Sequence, residues 1–378
     1  MVSKLEVVGV EVTAPKKDLA RIINLALRAV PAKSVQPALQ AVLLEASGQD
    51  TVRASGTDLA LYIRAEGRGT VSRTGSVLVP GKLLAEVVGS LPEGEVRISG
   101  DGESVRIEAG KSVFELDGMS PDLYPAFPEV SASPALTVPA DEFVEAIRQV
   151  AFACPRDDTR PHLTGVNLGV SGSEVTLAAT DGGRMAVKTI GLERDPGRTL
   201  ERIIPAEALT ELARAVGHGR FEAVEVFLSD SHAVFSVPGL VVVTRVIAGS
   251  FPRYRQIVPT EFRQRVRVSG AELLHALRAA SATALTGYRY VVLAASEGTM
   301  KVSSRTPEVG SAAVEVDAVS EGTPVTVTFK PSLLIDALEA VEGRDVEIGF
   351  TGPLSPALIR PVGDGSYMYV VAPVRVYE

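Results

Sequence analysis

Tryptophan is absent from this 378-residue chain, aromatic residues make up only 5% of it, and Cys154 is its single cysteine. One cysteine excludes an intrachain disulfide and a cysteine-based zinc cluster, and it favours a reducing compartment. Because hydrophobic residues still reach 46%, the cores must be aliphatic. A chain of this length can bury several cores without a staple, and ~150 residues per domain predicts two or three domains.

The chain also lacks long apolar segments and an excess of positive charge. Its most apolar stretch, Val237 to Ile247, is too short to span a bilayer and contains Pro238, Gly239 and Arg245. Residues 1–12 show no basic segment followed by an apolar one, so we expect no secretory signal and a cytoplasmic protein without a membrane partner. The formal net charge of −8 disfavours tight electrostatic wrapping of nucleic acid but is compatible with a local basic surface.

The sequence repeats itself three times. Each copy opens with a short strand pattern and a helix pattern, and a second helix follows behind a proline. Pro80, Pro205 and Pro331 mark this second helix at spacings of 125 and 126 residues, which is one third of the chain. Asp141 and Ser269 occupy expected N-cap positions of the opening helices in the second and third copies. The period is too long for a solenoid and predicts three similar domains.

Alternating apolar and polar runs, separated by glycine and aspartate turns, fill the rest of each copy. The predicted fold class is therefore α+β, with three similar domains of two helices and eight strands each. We place the domains at residues 1–130, 131–260 and 261–378. Triplicated domains without a triplicated set of catalytic residues favour a scaffold.

Candidate catalytic groups are weak. None of the four histidines stands in a metal-binding spacing, and Cys154 has no activating partner in the sequence. The run Gly110-Lys111-Ser112 lacks the first glycine of a phosphate-binding loop and is typical of a hairpin turn. Asp58 and Asp181 occupy equivalent positions in two copies, and we interpret them as acceptors for turn amides. We therefore predict no catalytic residue, no metal and no cofactor.

Five motifs, read in order along the triplicated chain, carry a resemblance to a known family. They are Gly56-Thr57-Asp58-Leu59, Leu91-Pro92-Glu93-Gly94, residues 179–187, Phe251-Pro252-Arg253-Tyr254 and residues 369–375. Together they resemble the bacterial DNA polymerase III beta subunit, the replicative sliding clamp. The resemblance covers the whole chain.

The resemblance implies a DNA clamp (processivity) fold and a head-to-tail homodimer that closes a ring of six domains. Such a ring encircles double-stranded DNA without sequence specificity and tethers the DNA polymerase III alpha subunit. It is not an enzyme, has no cofactor, and is placed on DNA by an ATP-dependent clamp loader. The negative net charge agrees with sliding, because extensive phosphate neutralisation would hold the ring in place.

The resemblance also implies a hydrophobic cleft between the second and third domains. It binds short linear peptides of polymerases, the clamp loader and repair proteins. Transferred by motif, its residues are Leu163, Thr180, Gly182, Gly183, Arg184, Met185, Pro252, Gln256, Ile257, Val370, Ala372, Pro373, Val374, Arg375 and Val376. Gly183 stands where the family usually has histidine, and Met185 where it usually has leucine. The C-terminal segment also departs from the family's Met-Pro-Met-Arg-Leu, so we expect a shifted peptide preference.

Two more sets of residues follow from the resemblance. The basic or polar residues expected to face DNA are Lys33, Arg28, Arg160, His162, Lys82, Arg148, Arg214 and Arg278. The expected subunit interface contains Lys111, Phe114, Leu116, Ser281, Ala282 and Glu308. Val309-Gly310-Ser311 stands where the family often has further carboxylates. We therefore expect strand pairing and apolar contacts to dominate ring closure, since exposed ion pairs contribute little.

Two other functions stay open from the residues alone. A three-domain enzyme, such as a hydrolase using Asp58 or Asp181, would lose turnover on a single substitution. A ring-shaped adaptor would bind peptides without encircling DNA. Retention on circular but not on linear duplex distinguishes a clamp from such an adaptor.

Overall fold

The computed structural model describes residues 9–101, 104–128, 134–157, 159–217, 221–284 and 290–375. The chain divides into two compact units, which are residues 1–140 with 214–246, and residues 141–213 with 247–378. The three domain boundaries stay predictions. Among the described residues, no helix is long and apolar enough to cross a membrane.

In the described residues of the first third there are two α-helices and nine strands, where the sequence predicted eight strands. Their order is β1 (Val10–Pro15), α1 (Lys16–Leu27), β2 (Ala41–Ser47), β3 (Thr51–Thr57), β4 (Leu61–Arg68), β5 (Thr70–Arg73), β6 (Gly75–Pro80), α2 (Gly81–Ser90), β7 (Glu95–Gly100), β8 (Ser104–Ala109) and β9 (Ser112–Asp117). The additional strand is β5, which pairs antiparallel with β1.

The parts of the second and third thirds that the structure describes each show the predicted two α-helices and eight strands. The second contains β10 (Leu136–Pro139), α3 (Ala140–Val150), β11 (Gly165–Ser171), β12 (Glu174–Thr180), β13 (Arg184–Gly191), β14 (Leu200–Pro205), α4 (Ala206–Val216), β15 (Ala223–Leu228), β16 (His232–Val237) and β17 (Leu240–Arg245). The third contains β18 (Gln264–Val268), α5 (Gly270–Ser281), β19 (Val291–Ser296), β20 (Thr299–Thr306), β21 (Gly310–Gly322), β22 (Thr326–Phe329), α6 (Pro331–Ala340), β23 (Val346–Phe350), β24 (Ala357–Pro361) and β25 (Tyr367–Val371).

Helix starts follow local chemistry. Ser269 caps α5 as predicted, since its Oγ accepts a hydrogen bond from the Glu272 N–H at 3.4 Å. The predicted cap at Asp141 is wrong, because α3 already begins at Ala140 and Asp141 lies in its first turn. There its carboxylate still complements the positive end of the helix dipole.

The first unit contains two antiparallel sheets. One has the order β5-β1-β7-β8-β9, and the other has the order β10-β15-β16-β17-β4-β3-β2-β6. In the larger sheet, β4 of the first third pairs with β17 of the second third, with Leu61 opposite Thr244. The buried side of α1, which includes Leu19 and Ile22, is fully enclosed.

The second unit is built on one continuous antiparallel sheet of twelve strands. Its order is β14-β11-β12-β13-β25-β24-β23-β18-β21-β20-β19-β22. Here β13 of the second third pairs with β25 of the third, with Arg184 opposite Val371. The long strand β21 pairs with β20 along residues 310–317 and with β18 along residues 318–322.

A partly buried charge cluster ties β13 to the third repeat. Lys188 Nζ donates to Ser366 Oγ at 2.8 Å and lies 3.4 Å from Asp364 Oδ2. Arg344 lies 3.5 Å from Asp364 and 3.7 Å from Glu145 of α3. Burial by itself raises the pKa of Asp364, but hydrogen bonds from Ser366 and the charge of Lys188 outweigh it and hold that pKa below its ordinary value.

Candidate peptide-binding site

The candidate site is built around the turn between β12 and β13. Thr180 Oγ1 donates to the Arg184 carbonyl at 2.6 Å and accepts the Gly182 N–H at 3.1 Å. Asp181 Oδ1 accepts the N–H groups of Gly183 at 2.8 Å and Arg184 at 3.0 Å. Gly182 has a φ of +91°, a conformation that favours glycine. The side chains of Thr180 and Asp181 therefore hold the turn rigidly, and the predicted role of Asp181 is confirmed.

The equivalent turn between β3 and β4 is built in the same way. Asp58 Oδ1 accepts the N–H of Ala60 at 2.9 Å and of Leu61 at 2.7 Å. The predicted role of Asp58 is thus also confirmed. Both aspartates hold turns, which is the interpretation that competed with a hydrolase.

Arg184 fastens the site turn to two other elements. Its Nε donates to Asp181 Oδ2 at 3.0 Å, one terminal nitrogen donates to the Phe152 carbonyl at 2.7 Å, and the other donates to Asp336 on α6. The Arg184 side chain is only 12% exposed. Burial lowers the pKa of its guanidinium, but the bond to Asp336 and the nearby negative charges outweigh this effect, so the net shift of the pKa is upward. Phe152 in turn stacks on Tyr369 of β25.

An apolar cluster lies beside this turn. Its buried members are Leu163, Ala178, Met185, Val187, Ile203, Phe251, Tyr254, Leu358 and Val370. Met185 and Val370 are opposite each other on β13 and β25. Partly buried residues pack against the cluster, namely Ile247, Val258, Phe262 and Met368. Ile257, next to Val258 in the chain, is 58% exposed. A buried apolar floor with an accessible apolar rim is suited to receive an apolar peptide anchor.

The C-terminal segment is held beside the turn by main-chain hydrogen bonds. The Ala372 N–H donates to the Gly183 carbonyl at 2.9 Å, and the Val374 N–H donates to the Thr328 carbonyl at 2.8 Å. Val376 lies outside the described residues. Of the other predicted residues in this segment, three are half-buried and the last is exposed, namely Ala372, Pro373, Val374 and Arg375.

The described cleft residues form four groups. The turn contributes four of them, the apolar cluster contributes Leu163, Met185 and Val370, an exposed segment contributes Pro252, Gln256 and Ile257, and the C-terminal segment contributes residues 372–375. Sequence reasoning left Phe251, Tyr254 and Leu358 out of the site. The Phe-Pro-Arg-Tyr motif could have indicated the first two, whose rings pack edge to face at 6.2 Å. Leu358 carries no local signal, because its position opposite Val370 is set by the pairing of β24 with β25.

Cys154 follows a short 3₁₀ turn, Ala151–Ala153, and is buried. Burial raises the pKa of its thiol to about 12. A thiol in this state is a poor nucleophile, in agreement with the sequence-based expectation of an inert cysteine.

The residues expected to face DNA differ in their surroundings. Lys33, Lys82, Arg148 and Arg214 are exposed, and Arg28 is half-buried at the C-terminal end of α1. Arg28, Lys82, Arg148 and Arg214 are on helices or directly after one, whereas Lys33 is in the loop that follows α1.

The other three residues expected to face DNA are in the second unit. Arg278 forms an ion pair with Glu339 of α6 at 2.6 Å. Arg160 donates to the Asp181 carbonyl at 2.7 Å, so it also supports the site turn. His162 is half-buried in a short 3₁₀ turn, Pro161–Leu163.

The predicted interface residues lie at strand edges and helix ends. In the first unit, Lys111 precedes β9, Phe114 is half-buried and Leu116 is buried. In the second unit, α5 ends at Ser281, and Ala282 follows it. Glu308, with a φ of +63°, lies in the turn between β20 and β21.

Comparison with known proteins defines the class of protein. Models of the N-terminal, central and C-terminal domains of the DNA polymerase III beta subunit match residues 10–128, 137–253 and 255–375. The beta sliding clamp of Staphylococcus aureus is 30% identical over 366 residues, covering 94% of this chain and 96% of that protein. The beta sliding clamp of Bacillus subtilis is 30% identical over 378 residues, covering 97% and 99%.

Solved structures agree with these relatives. A DNA polymerase sliding clamp from Bacillus subtilis has a TM-score of 0.92 at 29% identity, covering 97% of this chain and 100% of that chain. The beta subunit from DNA polymerase of Streptococcus pyogenes has a TM-score of 0.92 at 26% identity with the same coverage. The chain has the three-domain sliding-clamp fold of mixed helices and sheets. It belongs to the family of DNA polymerase III beta subunits, the beta sliding clamps. The predicted function, a DNA sliding clamp for polymerase processivity, is confirmed.

Proposed function

We propose that this chain forms a head-to-tail homodimer that encircles duplex DNA as a six-domain ring. It holds partner proteins at the site turn, Thr180 to Arg184, and at the apolar cluster that contains Met185, named the Met185 cluster below. The action is topological, so the chain breaks no bond and needs no cofactor of its own. An ATP-dependent clamp loader places it on DNA in the cytoplasm. The observation that carries the ring is the way the repeats join.

Both junctions between repeats are formed by strands at equivalent positions of the repeat. The third strand after the first helix of one repeat pairs with the last strand of the next repeat. This describes β4 with β17, through five residue pairs, and β13 with β25, through five residue pairs. Applied to the third repeat, the same rule pairs β21 with a β9.

Both of these strands have an open edge. Among the described residues, β9 is hydrogen-bonded only to β8, and residues 310–317 of β21 are hydrogen-bonded only to β20. Open strand edges are sites of pairing with another chain. A second copy satisfies both edges, and two equivalent junctions then close a ring. This symmetric closure is typical of homo-oligomers.

The charge balance supports a ring that slides. The chain carries a net charge of −8, while Lys82 and Arg148 on helices and Lys33 in a loop offer exposed positive charge. A few phosphate contacts of this kind are independent of base sequence and weaken with salt.

The Met185 cluster supports peptide binding. We propose that apolar anchors of short linear peptides from the DNA polymerase III alpha subunit, the clamp loader, other polymerases and repair proteins pack on it. Gly183 leaves the turn without a side chain, and a Cβ built there meets nothing closer than Asp181 Oδ1 at 3.5 Å. The site therefore has room beside the turn for a bulkier peptide residue.

The test of the ring is loading onto nicked circular duplex by a competent clamp loader, followed by cutting with a restriction enzyme. Release on linearisation is expected, because only topology holds the ring. Persistence after cutting would show direct affinity for DNA and refute the proposal. Absence of loading by an active loader would favour an adaptor that binds peptides without encircling DNA.

The test of the cleft compares two exposed apolar residues. Ile257→Asp places a charge next to Val258, which packs against the Met185 cluster, and we expect affinity for a labelled polymerase-derived peptide to fall about tenfold. Val319→Asp, at a residue that is 67% exposed on β21, is the matched control and should leave affinity unchanged. Equal effects of the two variants would contradict the assignment of the cleft.

A further inference from the structure

The repeats also define the register of the junction between β9 and β21. On the β21 side, Gly310 begins its strand four residues after a threonine, as Leu61 and Arg184 do in the other copies. The three threonines are Thr57, Thr180 and Thr306. Gly310 is therefore the structural equivalent of Leu61 and Arg184.

On the β9 side, one hydrogen bond recurs in all three copies. It runs from Met119 N–H to the Leu78 carbonyl at 2.9 Å, from Ile247 to Ile203 at 2.8 Å, and from Val374 to Thr328 at 2.8 Å. Residues three positions before each donor are therefore equivalent, and these are Leu116, Thr244 and Val371. Because Thr244 is opposite Leu61 and Val371 is opposite Arg184, Leu116 should be opposite Gly310.

We infer that β9 pairs antiparallel with β21 of a second copy, with Leu116 opposite the partner's Gly310. Two ion pairs select this register, namely Glu115 with the partner's Arg305 and Lys111 with the partner's Glu315. The inference rests on the proposed ring and adds to it the residues that decide how the ring closes.

The first ion pair continues a row of alternating charges, the charge ladder, that already crosses the five-stranded sheet of the first unit. Arg97 lies 2.8 Å from Glu11 and 3.7 Å from Glu108, and Arg106 lies 3.1 Å from Glu108 and 2.9 Å from Glu115. The ladder ends at Glu115, whose side chain is 69% exposed on the outermost strand. Each member lies on the same face as its neighbours, because paired residues of adjacent strands share a face.

The partner strand offers the next member of this ladder. In the inferred register Glu115 is opposite the partner's Ser311, and Arg305 is opposite Ser311 within its own chain. At a strand spacing of about 4.8 Å, Glu115 and the partner's Arg305 stand about 10 Å apart at their Cα atoms, with only a serine between them. Two long, exposed side chains can meet over that serine.

The second ion pair follows from the same register. Lys111 lies in the turn directly before β9, next to Ser112, which comes opposite the partner's Val314, so its exposed side chain lies beside the partner's exposed Glu315. Within its own chain, Glu315 is opposite Lys301. The two pairs have opposite polarity, with an acid on the β9 side in one and a base on that side in the other. A slip of two residues, which keeps the same side chains on the same face, moves Glu115 away from the partner's Arg305.

The other face of the junction is apolar. There Phe114 comes opposite the partner's Ala312, and Leu116 comes opposite the partner's Gly310. Phe114, Ala312 and Val314 are half-buried in the single chain, and Leu116 is buried. Apolar contacts thus supply attraction on this face, and the charges on the opposite face select the register.

At the position of Glu115, the two junctions inside the chain are apolar. The equivalents of Glu115 are Val243 and Val370, which belong to the buried apolar clusters of the two units. They face Tyr62 and Met185, the equivalents of Ser311. The junctions that stay covalently connected are therefore apolar at this position. The junction that must open for loading has a screened ion pair there, which makes its opening sensitive to salt.

Charge reversal tests the first pair. Glu115→Arg and Arg305→Glu, each alone, should raise the dimer dissociation constant at least about tenfold, because both junctions of the ring lose attraction and gain repulsion. Combining them should restore the constant to within about threefold of the original chain. Glu297→Arg, on an exposed turn, changes the net charge as Glu115→Arg does and should have no effect. Sedimentation equilibrium over a range of salt concentrations measures all four variants.

A cysteine pair tests the register directly. Val113→Cys with Ala313→Cys places two thiols opposite each other, and oxidation should give a covalent dimer. Val113→Cys with Glu315→Cys is offset by two residues and should not crosslink. Crosslinking by the offset pair instead, or no rescue by the charge swap in a chain that is dimeric, would overturn the register while leaving the ring intact. A chain that stays monomeric at every concentration would instead refute the ring itself.

Discussion

Replacing Arg184 with methionine removes the contacts that connect the site turn to the rest of the second unit. Methionine preserves the apolar stem but loses three hydrogen bonds, to Asp181, Asp336 and the Phe152 carbonyl. Breaking a buried ion pair costs about 3–5 kcal/mol. Since Asp336 is 38% exposed and Asp181 is 24% exposed, water compensates part of the loss, and we expect the low end, about 3 kcal/mol.

Urea unfolding measures this loss as a fall in the free energy of unfolding. Arg184→Lys is the matched control, because it keeps the positive charge but lacks the planar fork that serves three acceptors. It should recover less than half of the loss. Peptide affinity should fall in both variants, since the Thr180 to Arg184 turn is no longer fixed. Stability and peptide affinity within about 0.5 kcal/mol of the original chain would refute this account of Arg184.

Three further outcomes are expected. Gly182→Ala should lower the free energy of unfolding by about 1–2 kcal/mol, because a φ of +91° is strained for alanine and the new Cβ comes within 3.0 Å of Arg160. Gly183→Ala is the control and should be tolerated. Equal urea midpoints of the two variants would contradict this expectation. Because its pKa is lowered in the folded chain, ionised Asp364 stabilises the fold fully above the ordinary carboxyl pKa of 3.8, and this stabilisation is lost as the pH falls through the lowered pKa. Asp364→Asn should therefore flatten the acid limb of a curve of unfolding free energy against pH. Cys154 should react with a thiol reagent at neutral pH only when the chain unfolds, and rapid labelling of the folded chain would contradict its burial.

The triplicated pattern was strong enough to predict the elements of all three repeats. It missed β5, because this strand is only four residues long and follows β4 after Gly69, so the sequence shows no separate alternating run. It misplaced the start of α3 at Asp141, because β10 leads directly into the helix through Pro139. The Ser269 cap was predicted correctly, since an N-cap serine followed three residues later by Glu272 is a local signal.

Contacts that join distant parts of the chain were beyond sequence reasoning. Arg184 and Asp336 are 152 residues apart, and Lys188 and Asp364 are 176 residues apart. Their encounter depends on the pairing of β13 with β25, which no local pattern reveals. The motif resemblance nevertheless selected Arg184, because the Thr-Asp turn before it is a local feature repeated in the first copy.

The most direct test of the proposed ring uses a clamp that is covalently closed after loading. The Val113→Cys, Ala313→Cys chain is loaded on nicked circular duplex, oxidised, and washed in a denaturant that removes any protein held by contacts alone. Crosslinked dimers are expected to stay on the circle through the wash and to leave when a restriction enzyme cuts it. Crosslinked dimers that wash off the uncut circle, or that stay after the cut, would contradict the claim that the chain encircles DNA.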